Sequence, residues 1–518
     1  MNETPDPALY QRFLRGLARS PQRPAIRIGQ TAVTYTEAHR QALAWAGALS
    51  AGRTGRPRAV GVLAAKGVTA YLGILAGLYT GATVVPLHPD FPAGRTRRML
   101  ELAGVDVLVA DEQGLAALRA GSMPDRPIPV LVPLSDAAHP YPRIELDPAL
   151  ALAEPRPVRA EDTAYMLFTS GSTGRPKGVP ISHGSTRHYF DLLDARYDFT
   201  PEDVFSQTFD LNFDCAMFDL FCAWGAGATA HAVPVQAYRG LPAYVAEHGI
   251  TVWFSTPSAI SLIRQLGGLE PGSLSGLRWS FFAGEALRCQ DAADWQTAAP
   301  GSALENIYGP TELTVTITGH RWDSDSSPEL AVNGIVPIGA VHPGHDHLLL
   351  AEDGSTAEYE GELCITGPQM TQGYLDPADN AGRFLEHDGR LWYRTGDRVR
   401  RLPADELAYL GRLDAQVQIQ GWRVELPEIE HALRGCAGVR DAVTVTRPAE
   451  GGGVELVVFY TGEVTAPAAL ARQLRQILPA GMLPRDYRHL TEFPLNSNRK
   501  IDRGRLAAEA AGVLVGAA

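Results

Sequence analysis

The sequence predicts an α/β protein: a large N-terminal body of βαβ-type sheets with a β-rich part, followed by a small α+β C-terminal lid domain. Three observations carry that prediction. Strand-like and helix-like apolar patterns alternate through the first 150 residues and resume after about residue 200, the rhythm of βαβ units and a mostly parallel sheet. From about residue 335 the texture becomes strand- and turn-rich, with turn signals at Asp353-Gly354, Glu360-Gly361 and Asp388-Gly389. At Leu410-Gly411-Arg412-Leu413-Asp414 the composition breaks, and the C-terminal stretch beyond it carries its own strands and helices. A chain of 518 residues exceeds one core, so a body over 1–412 and a lid over 415–518, joined near 413–414, are expected.

Ala25–Ile28 and Val33–Tyr35 read as a small hairpin, and Thr36 as the cap of a helix running through Leu49. Ala59–Leu63 is a buried strand, Val68–Tyr79 a helix and Thr83–Leu87 another strand. Further on come strands Tyr165–Phe168, Val204–Gln207, Thr229–Val233, Val252–Ser255 and Trp279–Ala283, with a helix from Ala216. The lid has strand Gln416–Ile419, helix Pro427–Arg434, strands Ala442–Arg447 and Glu455–Tyr460, and helix Ala466–Leu478. Gly451–Gly453 is expected at a hairpin tip.

Composition narrows the function. Apolar content of 45% with 20% charged residues is ordinary for a soluble globular protein. A net charge of −12 offers no basic surplus to displace counterions from nucleic acid. Five scattered cysteines, Cys215, Cys222, Cys289, Cys364 and Cys436, form no Cys-x-x-Cys pair and suggest neither a disulfide framework nor a zinc site. The N-terminus lacks a basic-then-apolar signal, and no run of ~18 apolar residues occurs. A cytoplasmic protein with no membrane partner is expected.

The chemistry is concentrated in a few motifs. After the apolar strand come Thr169, Ser170, Gly171, Ser172, Thr173 and Gly174, closed by Lys177. Glycines let the backbone approach a ligand, hydroxyls and N–H groups donate inward, and the lysine adds a point charge. This is a polyphosphate loop, though not of the Gly-x-x-x-x-Gly-Lys-Ser/Thr kind. A flexible linker has similar composition, but would not follow a buried strand. In Asn306-Ile307-Tyr308-Gly309-Pro310-Thr311-Glu312 the tyrosine offers a face for a purine and Glu312 a hard oxygen ligand for Mg²⁺. Thr395-Gly396-Asp397 ends a strand with a carboxylate able to accept two ribose hydroxyls. Gly421-Trp422-Arg423 and Asn498-Arg499-Lys500 complete the set.

The order and spacing of these motifs resemble the adenylate-forming superfamily of acyl-CoA synthetases, luciferases and nonribosomal peptide synthetase adenylation domains, especially its amino-acid-activating branch. The likeness runs over nearly the whole chain, including Gly81–Leu87 and Gly361–Ile365 with Gly373-Tyr374. It implies that ATP and a carboxylic acid give an acyl-adenylate and pyrophosphate, and that a thiol then takes the acyl group. By the same resemblance, residues 169–174 and Lys177 hold phosphates, and Gly284, Glu285, Ala286, Asn306 and Tyr308 surround adenine. Asp397 and Arg412 bind ribose, Glu312 carries Mg²⁺, Lys500 is the mobile catalytic lysine and Asp414 the hinge.

Asp214 aligns with the aspartate that binds a substrate ammonium; a buried carboxylate without a partner is costly, which favours such a ligand. Asp210 is a competing candidate and Asp219 a structural one. The pocket positions implied are Cys215, Phe218, Phe254, Phe281, Ala283, Ile307, Val315 and Thr316. They leave little room and no second charge, so a small neutral amino acid is expected, alanine first, then valine, serine or proline. Trp253–Ser258 with Phe282–Glu285 resembles D-alanine–carrier-protein ligases. A free-standing enzyme that loads the phosphopantetheine thiol of a separate carrier protein is expected, with Arg423, Arg434 and Arg440 as candidates for a basic docking patch. The alternatives are an acyl-CoA synthetase using free coenzyme A, and a catalytically dead nucleotide-binding scaffold.

Overall fold

The computed structural model describes residues 6–171, 175–449, 453–495 and 501–512. Its two main sheets are built from the alternating segments. In the six-stranded sheet, Val130–Leu131, Val107–Ala110, Ala59–Leu63, Thr83–Leu87 and Thr163–Thr169 run parallel, and Lys177–Ser182 closes the edge antiparallel. The larger sheet begins with parallel strands that include Val204–Gln207, Val252–Ser255, Trp279–Phe282 and Ala303–Tyr308. It continues antiparallel through Thr318–Arg321 and Gly339–Val341 into Glu406–Arg412 and Arg390–Arg401.

Helices Val68–Tyr79 and Cys215–Ala226 are almost wholly buried and, Asp219 and Thr69 apart, apolar all round, as a helix enclosed on every side must be. Val60 and Val62 from one sheet and Val252 and Phe254 from the other belong to one apolar cluster with these helices. The helices therefore lie in the layer that joins the sheets.

After Asp414 the chain forms its own apolar clusters around Val424, Ile429, Val458 and Phe459. A hairpin, Gln416–Ile419 with Trp422–Glu425, leads into helix Leu426–Arg434. Gln420 and Gly421 at its tip have φ of +48° and +83°, the left-handed pair that a two-residue hairpin turn requires. Val439–Pro448, Val454–Gly462 and Asp486–His489 make the lid's sheet. The flanking strands pair up to Pro448 and Val454; the hairpin tip expected at Gly451–Gly453 falls largely on residues 450–452, which lie outside the described residues.

The helix after the first hairpin corrects one expectation. Its cap is Thr34, not Thr36: the Thr34 side chain accepts from the Glu37 N–H while the Glu37 carboxylate accepts from the Thr34 N–H, a reciprocal box that satisfies two otherwise unpaired donors.

Candidate active site

The phosphate-loop residues sit between two antiparallel strands whose register sets Thr169 opposite Lys177. Lys177 thus begins a return strand, where a plain loop was expected. At Gly171 an added Cβ would lie 2.2 Å from the Arg175 carbonyl oxygen, so this close backbone approach demands glycine. Lys177 is buried with its Nζ 5.2 Å above the Tyr374 ring, and burial, helped by Arg383, lowers its pKa. Ser172, Thr173, Gly174 and Lys500 lie outside the described residues.

Strand pairing also assembles the second group. Asp397 and Arg412 are register partners on adjacent strands, and Arg412 donates to Asp397 at 2.8 Å while the Tyr308 hydroxyl donates to its other oxygen at 2.5 Å. Burial raises the Asp397 pKa against the pull of Arg412 and Tyr308. Arg412 also reaches Asp414 at 2.8 Å, and Arg383 joins Asp414 at 3.1 Å to Glu425 at 3.3 Å. Asp414 is therefore one link in a charged chain from Asp397 to the lid. Asn306, two residues before Tyr308, donates to the Val336 and Pro337 carbonyls. Glu285 accepts from the Ser258 N–H at 2.9 Å and the Gly421 N–H at 3.1 Å, whereas Gly284 and Ala286 are exposed.

Asp214 is of another kind. It precedes helix Cys215–Ala226, so its carboxylate sits at the favourable end of the helix dipole. It is 9% exposed, and among the described residues its Oδ2 has no hydrogen-bond partner. Burial pushes its pKa from 3.8 up to about 6, although Thr311 and the Cys215 N–H pull the other way. Asp214 lines a cavity of about 100 Å³ together with Ser170, Cys215, Ala283, Val315 and Trp422.

Phe218, Phe254, Phe281, Ile307 and Thr316 stand behind that wall. The Phe218 ring lies 5.0 Å from Phe254 and 5.1 Å from Phe281 in edge-on contact, and Thr316 bonds to the Tyr189 hydroxyl. Asp210 is half-exposed near Lys66 and His88, and Asp219 is fully buried. Asp214 is thus the aspartate of the three that faces this cavity.

Glu312 is held differently from expectation. Its oxygens accept from the Tyr374 hydroxyl at 2.5 Å and from Arg423 at 2.8 Å. Burial pushes its pKa up, but Arg423 and Tyr374 outweigh it and hold the carboxyl below the usual range. Arg423 is accordingly buried against Glu312 and is no part of a surface patch. Arg434 is paired with Asp441.

Two contributors escaped the sequence reading. Arg383 carries no motif. Gln369, fully buried, donates to the Leu313, Thr314 and Thr316 carbonyls, bracing Thr314 and Val315 at φ of +59° and +68°, which β-branched residues rarely adopt. That brace holds Val315 in the cavity wall.

The comparisons with known proteins agree with this geometry. The family model described as AMP-binding enzyme matches residues 13–375, and the chain belongs to that family. It is 30% identical over 512 residues to the L-proline–[L-prolyl-carrier protein] ligase of Pseudomonas fluorescens, covering 97% of this chain and 99% of that protein. It also resembles phenyloxazoline synthase MbtB of Mycobacterium sp. at 31% identity over 97% of the chain, but spans only 42% of that protein.

Among solved structures, IdnL7 is 56% identical with a TM-score of 0.76, covering 98% of this chain and 100% of that one. The Vibrio cholerae adenylation domain AlmE, solved with glycyl-adenosine-5'-phosphate, is 29% identical with a TM-score of 0.86, covering 99% of both chains. The adenylation fold with a small C-terminal subdomain is therefore established.

Proposed function

We propose that the protein activates a small neutral amino acid, alanine first, as its aminoacyl-adenylate and then passes it to the phosphopantetheine thiol of a carrier protein. The observation that carries this reading is Asp214: a buried carboxylate with an unpartnered oxygen at the wall of a small cavity. Its shift from 3.8 to about 6 corresponds to about 3 kcal/mol of cost in holding the charge without a partner. An ammonium group relieves that cost; a fatty acyl chain does not. The carrier-protein ligase and the glycyl-adenylate complex among the similar proteins support the same direction.

In this reading, residues 169–174 and Lys177 hold the phosphates, Asp397 and Arg412 the ribose, and Tyr308 with Gly284, Glu285, Ala286 and Asn306 the adenine. Lys500 bridges the attacking carboxylate and the α-phosphate, a contact worth ~3–4 kcal/mol in transition-state stabilisation. Glu312, once released by Arg423, would be the carboxylate that holds Mg²⁺, and the cation would supply charge neutralisation to the phosphates there.

The body (1–412) and lid (415–518) turn about 413–414 between the two half-reactions. The turn at Gly421 lies inward, as thiol transfer requires: Gly421 meets Glu285, Arg423 meets Glu312, and Trp422 packs edge-on to Phe213 at 5.0 Å. Behind Trp422 and Phe213 a second cavity of about 170 Å³, lined also by Thr208 and Ser255, offers the thiol arm a path.

A screen of pyrophosphate exchange over amino and fatty acids tests the reading. Exchange with alanine, or next with valine, serine or proline, and none with fatty acids is expected; exchange with fatty acids alone would overturn it.

A further inference from the structure

We propose that Arg423 is a positioning residue that shuts pyrophosphate out of the site while the Gly421–Arg423 turn is inward. The inference rests on the adenylation reading above and deepens it. Three groups expected to serve the phosphates or to move with the lid are already engaged with one another. The Ser170 hydroxyl donates to the Arg423 carbonyl at 2.5 Å. The Arg423 guanidinium takes Glu312 at 2.8 Å, where a phosphate-bound cation would sit. The guanidinium is also steadied by Gln416 at 3.1 Å and the Tyr393 hydroxyl at 3.5 Å.

The arrangement is built for a neutral site. The Arg423 and Glu312 side chains are 14% and 1% exposed, and a buried pair broken on one side leaves an uncompensated charge. Pyrophosphate would need the Ser170 hydroxyl, and its cation would need Glu312. Each demands that Arg423 withdraw. Occupancy by pyrophosphate and the inward turn therefore exclude one another, and the coupling is reciprocal. The inward loop thereby commits the adenylate forward: pyrophosphate cannot return to reverse the first step while Arg423 holds its place.

The test is calorimetric titration of magnesium pyrophosphate into the full chain, comparing wild type, Arg423→Gln and Arg423→Lys, with melting curves as a check on folding. Arg423→Gln should bind pyrophosphate at least tenfold more tightly than wild type, since the competing loop state is weakened. Arg423→Lys should restore most of the wild-type value. Equal affinities would overturn the proposal; weaker binding by Arg423→Gln would overturn it too, by showing that Arg423 clasps pyrophosphate itself.

Wild type alone gives a second measurement if the variants fail to fold. Added magnesium pyrophosphate should speed amide exchange at Gly421, whose N–H is held by Glu285 while the turn is inward, and unchanged exchange counts against the proposal. Amino-acid-dependent pyrophosphate exchange in the same preparation separates the two claims. If that activity is present and the affinities are equal, the Arg423 proposal falls alone; if it is absent, the adenylation reading falls.

Discussion

Two buried aspartates among the candidate site residues are treated in opposite ways. Asp397 has both oxygens engaged, by Arg412 and by Tyr308, and its charge is already balanced within the protein. Asp214 keeps an oxygen without a partner among the described residues, at a cavity wall, and in the proposed reading its charge is held for a ligand. The contrast locates the protein's stored binding energy: an unsatisfied group costs stability in the free protein and is repaid on binding. Disturbing each aspartate should therefore have opposite consequences.

The largest expected effect is on catalysis. Asp214→Ala should lower kcat/KM for amino-acid-dependent pyrophosphate exchange by roughly 10²–10³, on the scale of ~3–5 kcal/mol for a charge left unpaired. Next comes Arg412→Ala, which strands Asp397 and should destabilise the protein by about 3–5 kcal/mol in denaturant unfolding. Asp214→Asn should move the other way in the same measurement, stabilising the free protein at neutral pH by up to about 3 kcal/mol.

A pH profile separates the two aspartates further. Because the Asp214 pKa in the folded protein is raised to about 6, its burial cost is absent below the unfolded value of 3.8 and is fully present above about 6. Amino-acid binding needs the charged form. KM for the amino acid should rise about tenfold per pH unit below 6 and level off above it; a flat KM would remove Asp214 from substrate binding. The smallest effect is on selectivity: Cys215→Ala should shift preference toward a side chain one methylene larger by about 1–3 kcal/mol, read as a ratio of kcat/KM values.

How much of this was legible in the sequence depends on the distance over which each feature is determined. The strands Ala59–Leu63, Thr83–Leu87 and Val252–Ser255 match their expected bounds, because short β-branched runs between turn residues carry their own signal. The Thr34 cap was also local, readable from Thr34-Tyr35-Thr36-Glu37 once the glutamate three residues on is counted.

Lys177–Ser182 was missed as a strand, since Gly178 and Pro180 weaken the local pattern and its pairing to Thr163–Thr169 overrides them. Arg423 lies in a charged stretch that reads as offering a basic docking patch. It is buried because its partner Glu312 stands 111 residues earlier, a separation no local pattern reports. Gln369 was hidden for the same reason: its three acceptors lie 53 to 56 residues away.

Whether Asp214 supplies the counter-charge for a substrate ammonium is decided by a matched pair of acids. Pyrophosphate exchange should be measured with alanine and with propionate, on wild type and on Asp214→Asn. Strong exchange with alanine is expected, with at least a hundredfold less for propionate, and a preference that collapses in the variant. Propionate turning over as well as alanine on the wild-type protein would show that no ammonium is being read at Asp214.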